Sequence, residues 1–281
     1  MELIGVSVRT LLTWMIILAS RLLTPTMLKA SLVLAAICLS TSALPTSSDT
    51  RSQLDTYGRA VDFSSQVPVS QLQCLKQNGY SVVFLRGFAA DGDGHYDINV
   101  IGTAHNAVRI PLGVEFYMEP QPSSLTKNAT QQFNEMIEAL FHYGIHFRSF
   151  WLQSTWNASP QYNINFIDAI LSIAQRDGFT VGIYTNQDEW KQITNNWIPN
   201  YPNLPLWYSS VKGNGAQGET SPDYNDFVPF GPFTAPTAKQ FGVGESDCQI
   251  ANNRDIYTNN AATPLGLVQI GESKNGVFQG N

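Results

Sequence analysis

Asp62 is the leading candidate for a catalytic group in this chain. It ends the apolar run AVDF, where an unpaired buried carboxylate would be costly unless it were used or paired. The alternative is that Asp62 caps the turn into the first helix. Glu115, Tyr117 and Glu119 alternate along a later run, so they share one face of a strand. If that face points into the protein, it supplies two more catalytic carboxylates. If it points outward, they are solvated.

Other polar and aromatic side chains follow the ends of further apolar runs. Carboxylates and amides bind sugar hydroxyls, and aromatic rings stack on sugar faces, so this combination is typical of a carbohydrate site. The predicted substrate-binding residues are Arg86, Gln153, Thr155, Tyr184, Asn186, Trp207, Tyr208 and Asp255.

Metal and cofactor chemistry is not indicated. The stretch DGDGHYD at 91–97 lacks the glutamate that completes a calcium loop. His142 and His146 have helical spacing, but no acidic partner completes HExxH. Neither a phosphate-binding glycine loop nor a GxSxG nucleophile elbow occurs. We therefore predict no metal and no cofactor.

Eight strand-like runs alternate with helix-length amphipathic segments, which predicts an α/β fold closed into a single (β/α)8-like barrel of the TIM type. The predicted strands are 58–63, 80–86, 112–118, 146–153, 179–184, 204–210, 238–242 and 254–257. The predicted helices are 69–78, 126–143, 161–177 and 186–195. Catalytic residues of such barrels lie at the C-terminal ends of the strands. Residues 211–236 carry four Gly and four Pro and are predicted to form one long loop at the mouth.

The N-terminus reads as a targeting segment. Residues 27–43 combine a lysine, an apolar stretch and small residues at Thr41 and Ala43, which is the pattern of a signal peptide. We assign 1–26 to an upstream extension, 44–56 to a linker, 57–257 to the barrel and 258–281 to a loosely draped tail. The alternative is a signal anchor, but Arg21 and Pro25 interrupt it.

Removal of residues 1–43 would leave a net charge of −8. An acidic protein of this kind is not suited to nucleic acid or to anionic membranes, and we expect a secreted monomer without stable membrane association. Of the three cysteines, Cys74 and Cys248 lie outside the signal, which predicts one disulfide in an oxidising compartment; two buried thiols are the alternative. Asn128 and Asn157 begin glycosylation sequons.

Several of these runs resemble the lysozymes of glycoside hydrolase family 25, in particular the protist-type branch found in animal guts and linked to antibacterial defence. The matching segments, which cover roughly residues 57–257, are AVDFS, FLRGF, GVEFYMEP, WLQST, VGIYTNQDEW, LPLWYSS, AKQFG and NRDIY. The resemblance implies a flattened barrel and cleavage of the β-1,4 bond between N-acetylmuramic acid and N-acetylglucosamine. By position, Asp62, Tyr184 and Asp255 match family site residues.

The chain departs from the family pattern on the fourth strand. The family carries Asp-x-Glu there, whereas this chain reads Gln153-Ser154-Thr155. An amide or a hydroxyl cannot replace a carboxylic acid as proton donor. One interpretation is a working lysozyme in which Asp62 is paired with Glu115 or Glu119. The other is a barrel that binds peptidoglycan or another glycan without cleaving it.

The signal features predict that the mature protein begins at Leu44. N-terminal sequencing of secreted protein checks this. Recovery of an intact 1–40 segment in the membrane fraction would contradict it.

Overall fold

The computed structural model describes residues 57–153, 159–258 and 269–270, the last pair by its backbone alone. Its centre is a closed barrel of eight strands that interleave with helices. The strands of the chain are β1 Tyr57–Phe63, β2 Val82–Ala89, β3 His95–Tyr96, β4 Gly113–Met118, β5 Ile145–His146, β6 Ser149–Gln153, β7 Thr180–Thr185, β8 Leu206–Ser209, β9 Ala238–Asp247, β10 Ile250–Thr258 and β11 Gln269–Ile270. The described helices are α1 Val69–Gln77, α2 Asn99–Arg109, α3 Ala129–His142, α4 Pro160–Arg176 and α5 Gln187–Thr194. The predicted α/β barrel is confirmed.

The barrel strands run in the order β1, β2, β4, β6, β7, β8, β9, β10, and the last pairs with the first. All neighbours are parallel except β10, which is antiparallel to both β9 and β1. The sequence did not indicate this reversal. It follows from the connection, because Cys248 and Gln249 alone join β9 to β10, and a parallel crossover needs a dozen or more residues.

Alternation along the strands separates two apolar layers. The inner layer fills the barrel with Phe84, Trp151 and Trp207, while a larger outer layer packs the strands against the helices. On β1, Ala60 and Asp62 share the inner face and Val61 packs in the outer layer. Because strand alternation points Asp62 inward, the C-terminal end of β1 places a carboxylate at the barrel mouth.

Four helices agree with the sequence prediction, but α2 was missed. Ile98, the N-cap residue that precedes α2, makes no side-chain capping hydrogen bond, and Gly102 lies in the first half of the helix. The local sequence therefore indicates the start of this helix only weakly. Its stability comes from packing, because Val100, Ala104 and Ala107 are buried against the barrel.

Residues 211–236 form the long connection that was predicted between β8 and β9. Its path is held by Lys239, whose fully buried ammonium donates to Ser221 O and Asp223 O at 2.9 Å and to Asp226 Oδ1 at 2.7 Å. A buried ammonium is tolerated only when it is paired and hydrogen-bonded. These contacts therefore hold the loop against the barrel. No helix in the described part of the chain is long and apolar enough to span a bilayer.

The Cys74–Cys248 disulfide is confirmed, with an S–S distance of 2.03 Å across 174 positions of sequence. It ties α1 to the turn between β9 and β10. Closing a loop of this length contributes up to about 5 kcal/mol in the chain-entropy model. Most of the tail after Thr258 lies outside the described residues, although β11 pairs with β5.

The turn between β9 and β10 predicts a stabilising substitution. Cys248 and Gln249 have φ values of 55° and 65°, which is the left-handed region that favours glycine. Gln249 is exposed, whereas Cys248 is held by the disulfide. Gln249→Gly should therefore raise the free energy of unfolding by about 1 kcal/mol, measured by urea denaturation. Gln249→Ala is the control. Equal effects of the two substitutions would contradict this account.

Candidate functional site

Asp62 lies at the C-terminal end of β1 with both carboxylate oxygens occupied. Gln240 Nε2 donates to Oδ2 at 2.7 Å, and Asn253 Nδ2 donates to Oδ1 at 2.9 Å. The two amides come from β9 and β10, so three strands meet at this carboxylate. Only 4% of Asp62 is exposed. The site is thus built around a buried acidic group with neutral hydrogen-bond donors.

Asp255 lies beside Asp62 on the inner face of β10 and is completely buried. Trp207 Nε1 donates to its Oδ1 at 2.8 Å, and its Oδ2 receives no hydrogen bond from the described residues. Burial and the neighbouring charge of Asp62 hold the pKa of Asp255 well above its usual range. Asp255 therefore keeps its proton to a higher pH than an ordinary aspartate does, and it does so next to Asp62.

The pKa of Asp62 is raised to about 6. Burial is the main cause, and the hydrogen bonds from Gln240 and Asn253 oppose it because they favour the charged form. The charge of Glu119 raises the pKa further. Asp62 consequently exchanges its proton within the range in which a general acid or base operates.

The face of β4 that carries Glu115, Tyr117 and Glu119 points into the barrel, which settles the orientation that the sequence left open. Glu115 lies one layer below Tyr117, is 2% exposed, and accepts a hydrogen bond from Trp151 Nε1. Glu119 follows the end of the strand and opens onto the mouth. The two predicted carboxylates therefore occupy different environments, and only Glu119 reaches the cavity.

Glu119 is held by a charged network from neighbouring segments. The Arg86 guanidinium donates to Glu119 Oε2 at 2.9 Å through Nη1 and to Asp97 Oδ2 at 2.9 Å through Nε. Asp97 is buried and also accepts from the backbone N–H of Asn99 at the start of α2. This chain of contacts orients Arg86 toward Glu119, so Arg86 supports the site from behind the cavity wall.

The mouth of the barrel contains a cavity of 310 Å³. Its lining residues are Asp62, Tyr117, Glu119, Gln153, Tyr184, Trp207, Asn214, Gln240, Val243, Gly244 and Asn253. Trp207 forms part of the floor, and its ring centre lies 4.6 Å from that of Tyr184 and 5.9 Å from that of Tyr117. The cavity thus combines two carboxylates and several amides with aromatic rings, the chemistry that a glycan requires.

Four of the predicted binding residues that the structure describes do not line the cavity: Arg86 and Asp255 lie behind it, and Tyr208 and Asn186 point elsewhere. Tyr208 follows the inward-facing Trp207 on β8 and therefore packs in the outer layer against Phe227, with ring centres 5.3 Å apart. Asn186 caps α5 by accepting from Glu189 N at 3.0 Å and does not line the cavity. Thr155 and the sequon residue Asn157 lie outside the described residues.

Sequence reasoning missed Asn253 and Asn214. Asn253 precedes Asp255 by two positions, so alternation along β10 could have placed it on the same face, had the strand been assigned from residue 250. Asn214 comes from the long loop, where no periodic signal exists. Gln240 lies on the predicted strand 238–242 but was not among the predicted site residues.

The closed α/β barrel is also the fold of several solved proteins. One is a muramidase from Trichobolus zukalii, with a TM-score of 0.54 and 15% identity, covering 72% of this chain and 94% of that chain. Another is the lysozyme from Streptomyces coelicolor, with a TM-score of 0.55 and 17% identity, covering 74% of this chain and 94% of that chain.

Sequence comparison identifies the family. The family model described as "Lysozyme-like protein 1" matches residues 53–241, and this chain belongs to that family. "Lysozyme-like protein 2" of Caenorhabditis elegans is 43% identical over 233 residues, covering 80% of this chain and 83% of the relative. "Probable GH family 25 lysozyme 2" of Dictyostelium discoideum is 27% identical over 206 residues, covering 70% and 89%. The resemblance to family 25 lysozymes is confirmed.

The raised pKa of Asp255 predicts a pH-dependent gain of stability on Asp255→Asn. Above the ordinary pKa of 3.8, native Asp255 keeps a proton that the unfolded chain releases, so rising pH destabilises the wild type. The amide keeps an acceptor for Trp207 and does not titrate. The variant should therefore gain about 1.4 kcal/mol relative to wild type per pH unit above 4, until native Asp255 ionises.

Urea unfolding at pH 4, 5.5 and 7 measures this gain, with the exposed Asp91→Asn as control. A stability difference between variant and wild type that stays the same from pH 4 to pH 7 would contradict a raised pKa of Asp255.

Proposed function

We propose that this chain is a lysozyme-type glycoside hydrolase that cleaves the β-1,4 bond between N-acetylmuramic acid and N-acetylglucosamine in bacterial peptidoglycan. The supporting observation is that Asp62 and Glu119 open onto one cavity with an aromatic floor. Glycoside hydrolysis uses two carboxyl groups in different protonation states. Family membership supports this substrate class, since the relatives are named a lysozyme-like protein and a probable GH family 25 lysozyme.

In the proposed mechanism Asp62 is the proton donor. Its burial raises its pKa to about 6, so it carries a proton under mildly acidic conditions and can give it to the glycosidic oxygen. Glu119 lies against the Arg86 guanidinium and serves as the second carboxylate, which stabilises the positive charge that develops on the sugar ring or activates water. Asp255 lies beside Asp62 and Arg86 pairs with Glu119, and neither residue lines the cavity.

The residue type at position 153 is the reason for assigning the two catalytic roles to Asp62 and Glu119. It lines the cavity at the end of β6, at the position where family 25 lysozymes carry the first carboxylate of Asp-x-Glu. Its amide can bind a sugar hydroxyl or acetamido group but cannot supply a proton. We assign Gln153, Tyr184 and Trp207 to glycan binding, and Thr155 remains a candidate for the same role.

The second candidate function is binding of peptidoglycan without cleavage. Gln153 favours this function, because β6, the fourth strand of the barrel, has no carboxylate at this position. The two functions differ in what the wild type does to purified cell wall. A hydrolase clears a wall suspension and releases new reducing ends, whereas a binding protein sediments with the wall and leaves it intact between pH 4 and 8, about the span of carboxyl groups with raised pKa values.

Three amide substitutions test the proposed catalytic pair. Asp62→Asn should reduce clearing of cell wall by at least about 100-fold and leave wall binding intact, because the amide keeps the shape and loses the proton. Glu119→Gln should also cause a large loss. Glu115→Gln is the matched control: it keeps an acceptor for Trp151 Nε1 outside the cavity, so clearing should stay close to wild type.

Turbidity, reducing ends and wall pull-down are measured in parallel from pH 4 to 8. Clearing by Asp62→Asn at the wild-type rate would contradict the assignment of the acid. Absence of clearing by wild type, together with retained wall binding, would favour the second candidate.

Secretion and a role in antibacterial defence or digestion belong to the same proposal. The predicted signal at 27–43 supports secretion, and the sequon residue Asn128 is exposed. Asn128 Oδ1 accepts from Gln131 N at 2.9 Å to cap α3, which leaves the capping oxygen separate from Nδ2, the atom that a glycan would occupy. We expect a monomer whose partner is cell-wall glycan.

A further inference from the structure

The pairing of β9 with β10 is irregular at the point where β10 passes Asp62. It shifts register between Asn252 and Arg254 and again between Arg254 and Asp255, and in both bulges the extra residue lies on β9. On its other edge, β10 pairs with β1 without a shift, and Asn253 lies directly opposite Asp62. Because directly paired residues of neighbouring strands share a face, Asn253 lines the cavity beside Asp62.

The amide of Asn253 has a fixed orientation. The backbone N–H of Gly244 donates to Asn253 Oδ1 at 3.1 Å, and Asn253 Nδ2 donates to Asp62 Oδ1 at 2.9 Å. Because a backbone N–H can only donate, it selects the oxygen of the amide and turns the nitrogen toward Asp62. Gly244 has φ 67° and lies against Asn214, so this N–H comes from a backbone position that favours glycine.

Arg254, the next residue, anchors the bulge on the outside of the barrel. Its guanidinium donates to both carboxylate oxygens of Asp247 at 2.9 Å and to Glu219 Oε1 at 2.7 Å. Asp247 is on β9, and Glu219 is in the long loop. A bidentate ion pair is directional, so it restrains the backbone on which Asn253 sits.

We propose that Asn253 is a positioning residue for Asp62, placed beside it by the pairing of β10 with β1 and oriented by the backbone N–H of Gly244 on β9, so that its amide fixes the carboxyl group and favours its charged form. The consequence of this contact for enzyme activity rests on the proposed function. Its consequence for the ionisation of Asp62 does not, because that follows from the hydrogen bond alone.

The proposal predicts a change in the ionisation of Asp62. The titratable groups that face Asp62 are Asp255, Glu119, Tyr117 and Tyr184, with Arg86 behind Glu119. These remain when Asn253 is substituted. Since the lost hydrogen bond favours the carboxylate, its removal should raise the pKa of Asp62.

The experiment compares Asn253→Ala, Asn253→Asp and wild type. Carbon-13 NMR of the carboxyl groups follows the titration of Asp62, whose signal is identified by its absence in Asp62→Asn. The midpoint should move upward by about one pH unit in Asn253→Ala, as expected for one lost hydrogen bond. It should move further in Asn253→Asp, which also adds a negative charge. Gln249→Glu, which adds a charge at the exposed end of the same hairpin, should leave the midpoint in place.

Activity provides the second measurement. If the wild type clears cell wall, the alkaline limb of its pH profile should move upward in the same order, because Asp62 then keeps its proton to higher pH. If the wild type clears no wall, the proposed function fails while the NMR titration still tests the role of Asn253. Asn253→Asp retains the acceptor for Gly244 N–H and serves if the alanine variant does not fold. An unchanged midpoint in folded variants would overturn the proposal.

Discussion

The burial of carboxyl groups inside the barrel is the constraint on which the rest of the site depends. Asp62, Asp255 and Glu115 are almost inaccessible to solvent, and each accepts a hydrogen bond from a neutral side chain. Neutral donors compensate only part of the lost hydration of a carboxylate, so the pKa values of Asp62 and Asp255 stay raised. Burial in the aromatic interior thus raises the pH at which Asp62 and Asp255 release their protons.

The fold directs its positive charge away from this cluster. Arg86 is held by Asp97 and faces Glu119, while Lys239 and Arg254 face the long loop on the outside of the barrel. A guanidinium beside Asp62 would lower its pKa and remove its proton at the pH where it is needed. The two carboxyl groups of the cavity therefore have different surroundings: Asp62 is buried among neutral hydrogen-bond donors, and Glu119 forms an ion pair. That difference is what acid–base division of labour requires.

Sequence patterns predicted the parts of the fold that local chemistry determines. The strand that carries Asp62, the strand that ends just before Glu119, and helices such as α3 follow from the periodicity of apolar residues. Helix α2 was missed because its stability comes from packing rather than from a cap. Alternation could have assigned Asn253 to the inner face, but its place opposite Asp62 depends on the reversal of β10, and the place of Asn214 depends on the long loop. These are set by contacts between residues far apart in the sequence, which no local pattern records.

The amide at Gln153 is consistent with this electrostatic arrangement. The cavity already holds Asp62 and Glu119, and the charge of Glu119 contributes to the raised pKa of Asp62. A third carboxylate at position 153 would add to that repulsion and raise the pKa of Asp62 further. With an amide there, the proton of Asp62 stays exchangeable near a pKa of about 6. In the proposed mechanism, the loss of a carboxylate from the fourth strand and the catalytic use of Asp62 with Glu119 are therefore two aspects of one charge distribution.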